Sequence, residues 1–313
     1  MSPHPVLATL ERAFASGTEQ AVAAAYVAGW RGVGRLSEDH ARALFDRIAA
    51  RMHARHGTSV HRLRANLARV RPELDHDALD ELTREGVHSY LRYWCESFRL
   101  PSWPTDDLVA RVTTVHEERL RTPYDAGRGV VAALPHQGNW DWAGAWACAT
   151  GAPVMTVAER LRPERLYDEF VAFRSSLGMT ILPLTGGEPP LPRLAEHVRA
   201  GGFAPLLADR DLSRSAVDVT LCGHAARMPR GPAALALETG AALVPITTAY
   251  RGDRLQITFH QEVDVAALGV ETATQRVADA FTDALVADPA DWHMMQRVFV
   301  DDLPAPEPRG ESA

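Results

Sequence analysis

The chain contains no lysine; all 33 of its basic residues are arginine. That excludes Schiff-base chemistry and a P-loop lysine. Cysteine is scarce, with three in 313 residues. Cys95, Cys148 and Cys222 form no CxxC pair, so they read as small core hydrophobes in a reducing compartment rather than as a zinc site. No apolar run approaches the roughly 18–20 residues needed to cross a bilayer. The opening Met1-Ser-Pro-His-Pro lacks the charged-then-apolar layout of a signal peptide, so the expectation is a cytosolic protein that touches a membrane from that side. No GxSxG elbow occurs, which argues against a serine acyl-enzyme of the α/β-hydrolase type. No GxGxxG follows a strand: Gly29-Trp-Arg-Gly-Val-Gly34 has the wrong spacing and falls in a helical stretch.

A formal net charge of −7 argues against a general nucleic-acid binder. The charge is unevenly spread, however. Between Arg47 and Pro72 stand Arg47, Arg51, Arg55, Arg62, Arg64, Arg69 and Arg71, with three histidines and no acid. Such a patch suits anionic lipid head groups or phosphates, or is simply a solvated helix face.

The first third has helical periodicity. Val22, Tyr26, Val27, Trp30 and Val33 recur at nearly 3.6 residues, and Glu38–Arg55, His61–Val70 and Asp77–Phe98 continue the pattern. Most of these apolar positions read as core, although Tyr26, Trp30, Trp94 and Trp103 also suit a lipid interface. From Gly129 the pattern alternates. Strand-like runs occur at 130–134, 154–157, 180–184, 204–208, 217–221, 243–248 and 255–259. Helical segments are expected at 140–149, 163–176, 191–200, 232–239 and 272–287. The expectation is one α/β unit with a largely parallel central sheet flanked by helices. Residues 1–128 would form a helical, membrane-docking region, residues 129–303 the α/β core, and residues 304–313 a disordered tail.

In a parallel sheet, reactive residues gather at the carboxyl ends of strands. His136 directly follows the run Val130–Leu134, and Gly138-Asn139 can open a helix whose free amides point toward the site. Asp141, five residues after the histidine, would fall in the first turn and curl back to the imidazole. Such a pair removes a proton from a hydroxyl. By chance alone a chain of this composition yields about one HxxxxD, so the context carries the reading. Trp142 and Trp146 share a helix face and read as core or as the lining of an acyl slot. Glu159-Arg160-Leu-Arg162-Pro163 follows the next strand, with Arg174 on the helix after it, and an arginine there can hold a phosphate. Glu159 and Arg174 can equally form a surface ion pair. Asp209-Arg210-Asp211 follows another strand. It suits positioning of His136 better than magnesium, because no further acid clusters with it. Arg227-Met-Pro-Arg-Gly-Pro232 is a turn that either shapes the site entrance or caps a helix.

Together these residues resemble the lysophospholipid acyltransferase superfamily, and within it the branch of the lipid A lauroyl acyltransferases. The nearest likeness is to the acyltransferases of mycobacterial phosphatidylinositol mannosides. It rests on His136–Asp141 in LPHQGNWDWAG, Glu159-Arg160 with Arg174, ADRDLS at 208–213, MPRGPAALALETGAALVPI from Met228 to Ile246, AYVAGWRGVGRL, and ADWHMMQRVF at 290–299. The resemblance implies transfer of a long acyl chain, typically palmitoyl, from acyl-CoA to a mannose hydroxyl, with no further cofactor. His136 would be the general base and Asp141 its supporting carboxylate. Asp209 would also pair with it, and Glu159 and Arg174 would support the site. Gly138 and Asn139 amides, or Arg210, would stabilise the oxyanion. A glycerolipid or lipid A-like acceptor, and a non-catalytic membrane-binding relative, are the alternatives.

Overall fold

The computed structural model describes residues 29–30, 32–160, 164–213 and 215–302. Tyr26, Arg162, Pro163, the opening of AYVAGWRGVGRL and the tail lie outside them. After helical residues at 29–30 and 32–33 come α1 (Glu38–Ala54), α2 (Thr58–Val70) and α3 (His76–Arg99). Helix α1 starts where Ser37 accepts from the His40 N–H, with Glu38 and Asp39 in the first turn facing the positive helix end. Its buried positions, Ala41, Phe45 and Ala49, repeat every four residues. Asp75 caps α3 in the same way. Trp30 is half-buried, its ring stacked on Phe98 at 4.9 Å. Trp94 is 5% exposed, and Trp103 packs edge-on against Trp142. Packing against other aromatics thus takes up part of each ring surface.

The remaining elements are α4 (Thr105–Ala110), β1 (Val112–Val115), α5 (Glu118–Asp125), β2 (Val130–Leu134), α6 (Trp140–Ala149), β3 (Met155–Ala158), α7 (Glu164–Ser176), β4 (Thr180–Pro183), α8 (Pro190–Arg199), β5 (Phe203–Leu207), β6 (Val217–Leu221), β7 (His224–Met228), α9 (Gly231–Thr239), β8 (Ala242–Arg251), β9 (Arg254–Phe259) and α10 (Val265–Ala287). Five strands form a sheet in the order β1-β9-β8-β2-β5. Pairing is parallel between β1 and β9, β8 and β2, and β2 and β5, and antiparallel between β8 and β9. A parallel bridge from Val154 to Phe203 extends the sheet toward the parallel pair β3–β4. The expected α/β architecture with a mostly parallel central sheet and a helical N-terminal region is therefore present. Strand β1, inside the stretch read as helical, belongs to this sheet.

All five residues of β2 are buried, which is why it reads as an unbroken apolar run. Its alternate residues serve two cores. Val130, Ala132 and Leu134 join residues of α3 and α6 on one face. Val131 and Ala133 join residues of α8, α9 and α10 on the other. Each large apolar side chain so buried contributes about 1.5–3 kcal/mol. Helix α9 ends at Gly240, whose φ of 72° supplies the left-handed cap. Among the described residues, no helix is long and apolar enough to cross a membrane.

Candidate active site

Strands β2 and β5 are parallel neighbours, with Leu134 paired to Leu207. His136 and Asp209 each stand two residues beyond those paired ends, so the register itself sets them side by side. Asp209 Oδ1 lies 2.6 Å from His136 Nδ1, and Oδ2 accepts from the His136 backbone N–H at 2.9 Å. The aspartate is fully buried. Burial alone would push its carboxyl up. The charge of His136 and the hydrogen bonds from its ring, from Trp292 and from the His136 backbone outweigh burial and hold it below the ordinary carboxylate value. With Asp209 on Nδ1, the tautomer protonated there presents Nε2, on the far edge of the ring, as an acceptor.

Trp292 escaped the sequence reading as a site residue, although the block containing it carried part of the resemblance. Its indole N–H donates to Asp209 Oδ2 at 3.0 Å. The chain around it fastens the same loop. Gly138 N–H donates to the Asp291 carbonyl at 2.9 Å and His293 N–H to the His136 carbonyl at 2.8 Å. Because the native carboxyl of Asp209 is depressed, its ionisation contributes stability that is present above about pH 4 and lost as pH falls through the native value. Trp292→Phe removes one donor and raises that native value. The expected result is a smaller stability difference between pH 7 and pH 3 than in the wild type, by about 1 kcal/mol in urea titrations. An unchanged difference would show that the indole does not support the carboxylate.

Asp141 does not hold the imidazole. Its Oδ1 accepts from Arg174 Nε at 2.7 Å and its Oδ2 from Tyr93 Oη at 2.7 Å. The first turn of α6 directs this side chain toward α3 and α7, not back along the loop. Burial works against the Arg174 charge, and Asp141 with Tyr93 outweighs it, so the guanidinium lies above its ordinary value. Burial and the Asp141 charge push the Tyr93 hydroxyl up, which keeps it a neutral donor. Of the two readings of Glu159 and Arg174, the surface ion pair does not form: Arg174 pairs with Asp141 at 2.7 Å, and Glu159 acts electrostatically on Arg210. Arg160 bonds to Glu164 at 2.9 Å and to the Gly186 carbonyl, anchoring the start of α7. Arg210 donates through Nε to the Arg297 carbonyl at 2.7 Å, and burial pulls its guanidinium below the ordinary value against the charges of Asp209, Glu159 and Asp211.

The Gly138 amide is committed to Asp291 and is not an oxyanion donor. Glycine is required there for another reason. Its φ is +59°, and a Cβ would come within 2.5 Å of Thr248 Oγ1. Asn139 caps α6 as expected, accepting from Trp142 N–H at 2.9 Å.

An apolar pocket with a free volume of about 80 Å³ lies between α6 and the sheet. Ala143, Gly144 and Ala147 leave the space on the helix side, and Leu134, Phe203, Leu206, Ile246 and Phe259 form the opposite wall. Trp142 is fully buried core, whereas Trp146 lines the pocket. Trp140 lines it too and sets its ring edge-on to His136 at 5.4 Å. Leu134 and Leu207, the strand ends nearest the His136–Asp209 pair, place that pair at the pocket's margin. Buried Asp141, half-buried Arg174 and Thr156 are the polar groups in its lining.

A histidine–aspartate pair at the carboxyl end of a parallel sheet, close to an apolar pocket, can move a proton beside an apolar group. Residues 14–300 match the family described as bacterial lipid A biosynthesis acyltransferase, and the chain belongs to that family of acyltransferases. It is 46% identical over 279 residues to a phosphatidylinositol mannoside acyltransferase of Mycolicibacterium smegmatis (strain ATCC 700084 / mc(2)155), covering 89% of this chain and 91% of that one. It is 43% identical over 291 residues to the protein of the same description from Mycobacterium tuberculosis (strain ATCC 25618 / H37Rv), covering 92% of each.

Proposed function

We propose that the protein transfers a long acyl chain, palmitoyl in the first instance, from acyl-CoA to a mannose hydroxyl of a phosphatidylinositol mannoside. The observation that carries this is the His136–Asp209 pair, two residues beyond Leu134 and Leu207 and next to Trp140; those three residues all line the apolar pocket. The relatives' described substrate supports the acceptor. Each methylene buried against the apolar walls contributes about 0.8 kcal/mol, which favours an apolar acyl group over a polar one; a long chain needs the walls to part further than they do here.

Nε2 of His136 takes the proton from the sugar hydroxyl while Nδ1–H stays on Asp209. The oxygen attacks the thioester carbonyl and forms the new ester. The carbon–sulfur bond breaks, and the imidazolium returns its proton to the CoA thiolate. The positive end of α6, which begins at Trp140 next to the imidazole, favours the negative charge that develops on the carbonyl oxygen. Asp141, Arg174 and Tyr93 hold α6 and α7 together over the pocket.

Docking is peripheral, on the cytoplasmic face of the membrane. On α1, Leu44 and Ile48 are each 39% exposed, and Arg47, Arg51 and Arg55 lie exposed beside them. Each such cation adds about 1 kcal/mol near an anionic surface. Other arginines of the patch are otherwise engaged, Arg69 with Asp302 at 2.8 Å and Arg71 with Glu73.

Ala147→Phe fills the pocket from its helix side and tests the donor site. Transfer from a sixteen-carbon acyl-CoA is expected to fall by about tenfold or more while an eight-carbon donor loses little, as each methylene displaced forfeits about 0.8 kcal/mol. Equal losses with both donors would place the acyl chain elsewhere.

A further inference from the structure

Glu96 is 3% exposed, on α3, and takes no direct part in the proposed transfer. Three donors converge on it. Arg92 Nε reaches Oε1 at 2.8 Å. Tyr250 Oη reaches Oε2 at 2.9 Å, and Asn139 Nδ2 reaches the same oxygen at 3.0 Å. The Arg92 guanidinium in turn lies over the Tyr250 ring at 3.8 Å. Taking a carboxylate out of water costs several kcal/mol before its partners offset it, so the placement of this one is a constraint on everything bonded to it.

The constraint falls on Asn139. A side-chain amide can face either way, but a carboxylate only accepts. Glu96 therefore turns Nδ2 toward itself and leaves Oδ1 to accept from Trp142 N–H, which is the cap that starts α6. The start of α6 fixes Trp140, whose ring bounds the His136 imidazole and stacks on Tyr93 at 4.2 Å. It also fixes Asp141 against Arg174. We infer that Glu96 is a positioning residue for the transfer reaction, holding through Asn139 the turn that joins His136 to α6. This rests on the transferase reading above.

Steady-state kinetics with palmitoyl-CoA tests it. Glu96→Ala is expected to lower kcat by about tenfold to a hundredfold, the range for losing a hydrogen bond to a charged group, with KM for the donor within about twofold. Glu96→Gln should recover most of kcat, because its amide oxygen still accepts from Asn139. Asn139→Ser keeps a capping residue but is too short to reach Glu96. It should show the same kcat loss as Glu96→Ala, and the double variant should be no worse than either single one. It also serves if Glu96→Ala fails to fold. A wild-type kcat in folded Glu96→Ala or Asn139→Ser, or a loss carried wholly by KM, would overturn the inference.

Amide exchange followed by mass spectrometry on the full chain needs no turnover. Residues 136–142 should exchange about tenfold faster or more in Glu96→Ala and near the wild-type rate in Glu96→Gln. Unchanged exchange there overturns the inference whatever the activity. A wild-type protein that transfers nothing would instead fail the transferase reading, and exchange alone would then decide the role of Glu96.

Discussion

Replacing His136 by alanine is expected to slow acyl transfer by about a hundredfold to ten-thousandfold, the range that a general base supplies, in a protein that still folds. The fold should survive because the backbone N–H of residue 136 still donates to Asp209, and Trp292 still donates to the same oxygen. The ring itself is a quarter exposed, so little core packing goes with it. Asp209 loses its imidazole partner, and burial then pushes its carboxyl up. The melting temperature should drop by only a few degrees, since about 1–2 kcal/mol is involved. Initial rates of CoA release and a thermal melt check the two halves. A folded His136→Ala protein with wild-type turnover would remove the imidazole from the mechanism.

The second large effect is on stability. Asp141→Ala is expected to destabilise the protein by about 3–5 kcal/mol, because it strands the Arg174 charge and the Tyr93 hydroxyl in the interior. Denaturant titration measures it. Arg174→Met with Asp141→Leu, which removes both charges and keeps the volume, should recover a large part of the loss. If the double variant is no more stable than Asp141→Ala, the cost arises from α6 itself and not from an unpaired charge. Activity should fall with Asp141→Ala as well, but through a loosened pocket rather than through the imidazole. The acid limb of the pH–rate profile should then stay where it is in the wild type.

His136 was legible because five buried residues in a row, Val130–Leu134, mark an interior parallel strand, and Leu134-Pro135 ends it. Asp209 was legible as another strand-end carboxylate. Its contact with His136 was not. Seventy-three residues separate the two, and only the adjacency of β2 and β5 and the pairing of Leu134 with Leu207 bring them together. Asp141 misled by nearness along the chain. A helix's first turn carries successive side chains around the axis, and this one faces Arg174. The short strand β1, Val112-Thr-Thr-Val115, has too few residues for an alternation signal, and it exists because β9 pairs with it. Trp292 and Glu96 act across 83 and 43 residues of sequence. No local pattern encodes such distances, although a tryptophan just past the long helix α10 was a visible cue.

The most direct measurement is CoA release from palmitoyl-CoA by the wild-type protein, with and without a mannosylated phosphoinositide, coupled to mass analysis of the lipid. The account predicts release that depends on the acceptor, and an acceptor heavier by one palmitoyl group. Release at the same rate without acceptor, or an acceptor of unchanged mass, would contradict it.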